Sequence, residues 1–401
     1  MRIYLDNNAT TQVHPEVLAV LDTTLRSVYG NASSIHKEGQ TARQVIEDAR
    51  ESVGRLIGAA SREVVFTSGG TESNNAAIFG AIDKLGIHHI VTTAIEHPSV
   101  AEAVAELARR GHEVTTIAPS RDGVVDAQRV IDAIRGDTRL VAVMLANNET
   151  GVIQPVAEIG RAARERGVHM HCDAVQAAGK IDVNVDVLNV DTLSLAAHKM
   201  HAPKGIGALY VRRGTTMQSF VIGGAQERRR RAGTENVPLA AAFGVAATLA
   251  ADPKPRDEVR ALRNRFESMI AELDVTINGA NVERLPNTSN VTFRGGDAEG
   301  IVIALDLAGI AASTGSACSS GRVEPSRVLL AMGLSSDEAK STVRFSLSRF
   351  TTEMEIEVTV AALADIRART RRQAGWRWSP PTPRARGRRS CTTAAAPDTA
   401  G

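Results

Sequence analysis

From about residue 60, short β-branched runs alternate with longer stretches of helical periodicity, and this alternation limits what the chain can fold into more than any other feature. Val64-Val65-Phe66-Thr67, His89-Ile90-Val91-Thr92, Val114-Thr115-Thr116-Ile117, Leu140 to Met144 and Val168 to Cys172 read as strands, with helices predicted over Glu72–Leu85 and Val100–Arg110. Parallel strands need a crossover between them, so this order predicts βαβ units and an α/β chain with a mostly parallel central sheet covered by helices. Ligands of such sheets bind at the carboxyl ends of the strands. At Ala251-Asp252-Pro253-Lys254-Pro255 a proline-containing break precedes a long helical stretch, Asp257–Leu273, and a mixed α and β region running to about Thr370. That break marks the expected start of a smaller second domain.

With 401 residues, 43% of them hydrophobic, the chain has material for about two domains and a large core. It contains no run of about 18 apolar residues to span a bilayer. Met1-Arg2-Ile3-Tyr4-Leu5-Asp6 turns polar too soon for a signal peptide, so a cytoplasmic location is expected. Cys172, Cys318 and Cys391 form no C-x-x-C pair and leave one over in any pairing, which favours free thiols in a reducing compartment. The net charge of +2 hides an asymmetry: residues 371–401 carry seven arginines and one aspartate, which leaves the rest of the chain acidic. This basic tail reads as a solvated, disordered extension, and nucleic-acid binding is conceivable through it alone. Trp376, Trp378 and Cys391 in the tail have no functional account.

Two residues carry the strongest chemistry. Lys199 follows an apolar, strand-like segment in Ser194-Leu195-Ala196-Ala197-His198-Lys199 and precedes a turn stiffened by Pro203 and Gly205. A lysine must lose its proton to bond a carbonyl carbon, and desolvation at a strand end supplies that loss. Lys204 reads as an ordinary surface charge. Cys318 sits in the small-residue loop Gly315-Ser316-Ala317-Cys318-Ser319-Ser320-Gly321, where a thiol has room to swing toward its target. Together they suggest a pyridoxal phosphate enzyme that also uses a cysteine nucleophile. Cys172, in an apolar strand, reads as buried packing.

Other strand ends supply polar groups. Thr67-Ser68-Gly69-Gly70-Thr71-Glu72 opens a predicted helix with bare amides suited to a phosphate, or else is an ordinary turn with Thr71 as the helix cap. Asp173 closes a short strand where a carboxylate can keep a pyridine nitrogen protonated, and Gln176 can donate to a ring oxygen. His169, His171 and Asp173 share one strand face, which admits a metal reading, although a buried, hydrogen-bonded histidine pair fits the spacing better. His97 lies just beyond another strand, suited to stacking on a flat ring or moving protons, and Asn148 sits beyond the strand that ends at Met144. Arg344 alternates with Val343 and Phe345, so its guanidinium faces away from them and calls for a carboxylate. The run Arg228–Arg231 reads as a solvated face, an anion site or a subunit contact.

Several segments occur in the order seen in cysteine desulfurases, which the chain resembles over roughly residues 1–370. They are Asp6-Asn7-Asn8-Ala9-Thr10-Thr11, Gly70-Thr71-Glu72-Ser73-Asn74, Glu96-His97, Asn148-Glu149-Thr150-Gly151, Asp173-Ala174-Val175-Gln176, His198-Lys199, Arg231-Ala232-Gly233-Thr234, Ser316-Ala317-Cys318, Glu324-Pro325-Ser326 and Arg344-Phe345-Ser346. The spacing from Cys318 to Glu324-Pro325-Ser326 resembles the long-loop branch that feeds iron–sulfur cluster assembly, and the N-terminal segment is similar to members dedicated to nitrogenase.

The resemblance implies a fold type I pyridoxal 5'-phosphate homodimer of the class V aminotransferase family. An N-terminal segment, 1–14, would pack on the small domain; 15–255 would form the large cofactor-binding domain, 256–370 the small domain with the Cys318 loop, and 371–401 the tail. Lys199 would hold the cofactor covalently, Asp173 would pair with the pyridine nitrogen, Gln176 with the ring oxygen, and His97 would stack on the ring. Gly70, Thr71 and His198 would bind the phosphate, with Thr234 reaching it from the other subunit. Asn148 and Arg344 would hold the substrate carboxylate, with Asn148 also contacting the cofactor. L-cysteine would become L-alanine, leaving a persulfide on Cys318 for a scaffold or carrier protein. The rival within the same fold is another pyridoxal phosphate enzyme, a selenocysteine lyase or an aminotransferase. Two positions depart from the family pattern. Ala196 stands where a hydroxyl residue usually bonds the phosphate, a loss of about 0.5–1.5 kcal/mol, and Ala202 replaces the usual glycine before Pro203.

Overall fold

The chain begins with a two-residue strand, β1 (Ile3–Tyr4), that pairs with a segment some three hundred residues away, and the central sheet starts only at residue 64. The computed structural model describes residues 2–82, 86–315, 324–375 and 401. The central sheet is made of β2 (Val64–Thr67), β3 (His89–Thr93), β4 (Glu113–Ile117), β5 (Thr138–Ala142), β6 (His169–Asp173), β7 (Thr192–Ala196) and β8 (Gly207–Val211), in the order β2-β8-β7-β6-β5-β3-β4. Neighbours are parallel except at β8, which runs antiparallel to both β2 and β7. Strands β2, β3, β7 and β8 are buried along their whole length. This is why their sequences are continuous apolar or small-residue runs rather than alternations. Strand β8 has no counterpart among the predicted strands; Gly207-Ala208-Leu209-Tyr210-Val211 follows a Pro-Gly turn closely enough to pass for its exit.

Element boundaries differ from expectation by a few residues, for identifiable reasons. The helix expected over Val100–Arg110 spans Pro98–Arg109 because His97 caps it: the His97 Nδ1 accepts the Ser99 N–H at 3.1 Å, and Pro98 fills the first helical position. The helix expected over Glu72–Leu85 spans Gly70–Ala81, and residues 83–85 lie outside the described residues. The predicted strands Leu140–Met144 and Val168–Cys172 are shifted to β5 and β6, which leaves Asp173 as the last residue of its strand.

A second, smaller sheet of β9 (Val275–Ile277), β10 (Thr288–Phe293) and β12 (Thr342–Ser346) is antiparallel, in the order β12-β10-β9, and β11 (Ile310–Ala311) pairs in parallel with β1. Its own apolar core includes Leu5, Phe266, Val291, Phe293, Val343 and Phe345. The long helix preceding it spans Lys254–Ile270, three residues ahead of the expectation, with Pro255 in its first turn where a missing N–H costs nothing. Beyond β1 the chain crosses from this sheet to the central one: Asn7 N donates to Ser346 O at 3.1 Å, and Thr11 N donates to His198 O at 3.1 Å. That crossing lays Asp6 to Thr11 directly against the end of β7.

The start of the site is braced by a buried ion pair. Arg50, on the helix Lys37–Leu56, donates from Nη1 and Nη2 to the Glu227 carboxylate at 2.6 and 2.9 Å, and Nη1 also donates to Val64 O at 2.9 Å. Glu227 in turn accepts the Phe66 N–H at 3.0 Å, so one carboxylate ties together a helix, strand β2 and the arginine run. Glu227, Arg228 and Arg229 all have positive φ (44°, 57° and 66°), a conformation that side-chain-bearing residues adopt only when their surroundings hold them there. Replacing Glu227 with Ala leaves the buried guanidinium with only the more exposed Glu47, 3.2 Å from its Nε, as counter-charge, and a loss of up to about 3–5 kcal/mol of stability is expected. Thermal melting checks this, and a double variant Arg50→Met with Glu227→Leu should recover most of it. The neighbouring Arg228 pairs with Glu47, and Arg231 donates to Glu72, so these two members of the run act as internal ties.

Candidate active site

Strand β7 ends in a single 3-10 turn, Ala197–Lys199, that lifts the lysine out of the sheet while Ala196 and Ala197 stay buried. The Lys199 Nζ donates to the backbone oxygens of Asn8 and Ala9, at 2.5 and 2.8 Å. Burial, and then the positive charge of Arg344, lower its pKa to about 8, against the opposing pull of Asp173 and Asp6. The sharp turn after it places the positive φ on His201 (62°), not on Ala202, so alanine at 202 meets no backbone strain.

Lys199 opens into a cavity of about 280 Å³ that Gly70, Thr71, His97, Asn148, Asp173, Gln176 and His198 also line. At one end is the start of the helix Gly70–Ala81. Its N-cap is Gly69, which has no side chain to cap with, so Thr71 is not the cap: it lies in the first turn, exposed. The first amides of that helix therefore keep their hydrogen-bonding capacity for an anion. A Cβ on Gly70 would come within 2.8 Å of Val175 Cγ2, so a larger residue here would force Val175 to shift. His198 borders the same cavity, its Nδ1 3.2 Å from Thr10 Oγ1, and burial followed by the charge of Lys199 lowers its pKa to about 4. Ala196 also lines the cavity and offers no hydroxyl.

Across the cavity, Asp173 is buried and its two oxygens are fixed. Oδ1 accepts the Val175 N–H at 2.9 Å and Oδ2 accepts from Asn74 Nδ2 at 2.8 Å. Gln176 donates to Asn8 O at 2.9 Å and accepts from Lys180 Nζ at 2.8 Å. Lys180 also donates to Asn8 Oδ1 at 3.0 Å, and Asn287 Nδ2 reaches the same oxygen at 3.0 Å. Asn8 is thus the hub that joins the lysine, the glutamine and the small sheet. The sequence motif contains it, but nothing in a polar N-terminal stretch foretells which of its residues turns inward.

Arg344 lies on β12 with Val343 and Phe345 facing the apolar core, as its alternation predicts, and its carboxylate partner is Asp6 at 2.6 Å. Its Nη1 donates to Asn148 O at 3.0 Å, while its Nε is buried and has no hydrogen-bond partner among the described residues. Thr234 is exposed and is not among the residues lining the cavity. Cys318 lies outside the described residues, as do Trp376, Trp378 and Cys391. The two flanks of the Cys318 segment meet at one carboxylate: Ser326 Oγ donates to Glu149 Oε2 at 2.6 Å, and a Cβ on Gly315 would lie 3.1 Å from that same oxygen. Burial raises the pKa of Glu149 against the bond from Ser326 and the charge of Arg344. Cys172 is buried, and its thiol pKa is raised well above the ordinary value by burial and then by Asp173 and Glu96. His169 and His171 both meet Thr192 Oγ1, at 2.9 and 3.0 Å, as a hydrogen-bonded pair through one hydroxyl.

The arrangement has close relatives. Residues 3–358 match the family model described as aminotransferase class-V. The chain is 45% identical over 387 residues to a cysteine desulfurase of Trichormus azollae, covering 93% of this chain and 96% of that one. It is 47% identical over 367 residues to the cysteine desulfurase IscS of Anaeromyxobacter dehalogenans, covering 89% and 90% respectively. Among solved structures, a NifS-like protein superposes with a TM-score of 0.86 at 34% identity, covering 92% of this chain and all of that one (100%). DndA from Streptomyces lividans superposes at 0.73 with 36% identity, covering 85% and 98%. With a match running nearly end to end and a lysine, a carboxylate and a bare helix start around one cavity, the chain belongs to the class-V aminotransferase family of pyridoxal 5'-phosphate enzymes, and within it to the cysteine desulfurases.

Proposed function

We propose that the protein converts L-cysteine to L-alanine and leaves the sulfur as a persulfide on Cys318, to be passed to a scaffold or carrier protein for iron–sulfur cluster assembly. The observation that carries this reading is the convergence of Lys199, Asp173, Gln176 and His97 on one cavity in a chain so similar to cysteine desulfurases. The donor set fits the cofactor. Gly70 and Thr71 at the helix start and His198 would hold its phosphate, Asp173 its ring nitrogen and Gln176 its ring oxygen, with Lys199 bonded to it. When bound, pyridoxal phosphate supplies a sink for the electron pair left behind as the α-proton of an amino acid departs.

The chain's own residues do the rest. Lys199, with its lowered pKa, gives and takes protons at Nζ near neutrality. The His97 Nδ1 is engaged by Ser99, so Nε2 is the atom left to face the cavity and carry a proton. Arg344, braced by Asp6 and with an Nε–H that no described residue meets, is suited to a substrate carboxylate together with the Asn148 amide. The Cys318 thiolate forms a bond to the substrate sulfur as the carbon–sulfur bond breaks; the electron pair goes to carbon, which takes up protons and leaves as L-alanine. The enzyme acts as a homodimer in which Thr234, exposed on this chain, reaches the phosphate of the other subunit. A cytoplasmic location fits the free thiol of Cys172. Among the described residues no helix is long and apolar enough to cross a membrane.

Intact mass spectrometry after brief exposure to L-cysteine tests this reading. One added sulfur atom is expected on the peptide containing Cys318, and none in Cys318→Ala, whose alanine production in the presence of a thiol acceptor should fall by about 10²-fold or more, as expected for loss of a positioned nucleophile. A Cys318→Ala protein with undiminished desulfuration would favour the selenocysteine lyase or aminotransferase reading instead.

A further inference from the structure

Strand β6 carries His169, His171 and Asp173 on one face, and the helix Gly70–Ala81 lays Asn74 over the same face. Four contacts join them in a line from the amino end of the strand to its carboxyl end. His169 Nε2 lies 2.9 Å from Thr192 Oγ1, and Thr192 Oγ1 lies 3.0 Å from His171 Nδ1. His171 Nε2 lies 3.0 Å from Asn74 Oδ1, and Asn74 Nδ2 lies 2.8 Å from Asp173 Oδ2. A branch leaves at Asn74, whose Nδ2 also donates to Ser99 Oγ at 2.8 Å, and Ser99 Oγ lies 2.8 Å from His97 Nδ1.

We infer that this line is a one-way chain of donors and that Asn74, held by His171, is the positioning residue that fixes both the orientation of the Asp173 carboxylate and the tautomer of His97. The direction follows from what each atom can do. A carboxylate only accepts, so the Asn74 amide must present its NH2 to Asp173; turned over, it would set its carbonyl oxygen against that carboxylate. Its oxygen therefore faces His171, whose Nε2 must carry the hydrogen. His171 is fully buried, and burial followed by the charge of His169 lowers its pKa to about 3 against the opposing hydrogen bond with the Thr192 backbone, so the ring is neutral; with its one hydrogen on Nε2, Nδ1 is bare. Thr192 then donates to that nitrogen and accepts from His169 Nε2–H. On the branch, Ser99 Oγ accepts from Asn74, so its own hydrogen goes to His97 Nδ1, where the Ser99 N–H also points. His97 Nδ1 is thereby an acceptor, and its hydrogen sits on Nε2, toward the cavity.

The roles of Asp173 and His97 rest on the proposed function; the direction of the chain does not. Solid-state NMR of the full-length holoenzyme labelled with 15N-histidine reads it, with His169→Gln, His171→Gln and His97→Gln used to assign the signals. The expected result is that His169, His171 and His97 all show the neutral form protonated at Nε2. His171 protonated at Nδ1 would overturn the inference, whether or not the protein desulfurates cysteine. Kinetics supply the second measurement. His171→Leu should lower kcat about ten- to hundredfold with little change in KM for L-cysteine, the size of the charge-assisted Asn74–Asp173 hydrogen bond that His171 holds in place. His171→Gln, which can still donate to Asn74 Oδ1, should recover most of that loss. Equal losses in Leu and Gln would mean that the ring serves only packing.

Discussion

A Lys199→Ala protein is expected to purify without the visible colour of a covalently held pyridoxal phosphate and to lose at least about 10³-fold in alanine production, since one side chain both bonds the cofactor and moves the proton. Absorbance after cofactor addition and a single-turnover assay check the two parts separately. The wild-type pH dependence follows from the pKa lowered to about 8. The bond-forming species is the neutral amine, whose fraction rises as pH passes upward through that value. The rate at which cofactor-free protein takes up pyridoxal phosphate should therefore climb between about pH 7 and pH 9 and then level off, rather than continue toward the ordinary lysine value of about 10.4. Arg344 contributes to that lowering, so Arg344→Gln should move the rise to higher pH. A rise that stays put in this variant would assign the lowering to burial alone.

Much of this site is legible in the sequence, because strands that end in polar residues in an α/β chain have only one place to bring them together. His97, Asp173 and Lys199 are each at or just past a strand end, and the order of β3, β6 and β7 in the sheet brings them to one cavity. Arg344 is legible for a different reason: alternation with Val343 and Phe345 forces its side chain off the core face. What is not legible depends on long-range contacts. Nothing in Arg50 or Glu227 marks them as partners across 177 residues, and a four-arginine run conceals two internal ion pairs. Asn8 looks like a turn residue until the small sheet carries it onto Lys199. Asn74 and Thr192, which orient the two histidines of β6, are ordinary small polar residues whose role appears only in register, with Thr192 opposite His171.

Asp173→Asn changes a single atom in shape and should nevertheless lower kcat by about 10–10³-fold, the effect of one contact charge on an ionisation equilibrium. The carboxylate is held by one donor at each oxygen, the Val175 N–H and the Asn74 amide. An asparagine at this position must turn its own NH2 toward one of those two donors, so it loses the charge that would keep a ring nitrogen protonated and also gains a buried donor facing a donor. The variant should still take up pyridoxal phosphate, because Lys199 and the helix start at Gly70 are untouched, but with altered colour and slow removal of the substrate α-proton. Replacing the α-hydrogen of L-cysteine with deuterium separates the steps: the isotope effect on alanine formation should grow in Asp173→Asn, as proton removal becomes limiting. An Asp173→Asn protein with at least half the wild-type kcat and an unchanged isotope effect would show that the carboxylate serves the fold of β6 and not the ring.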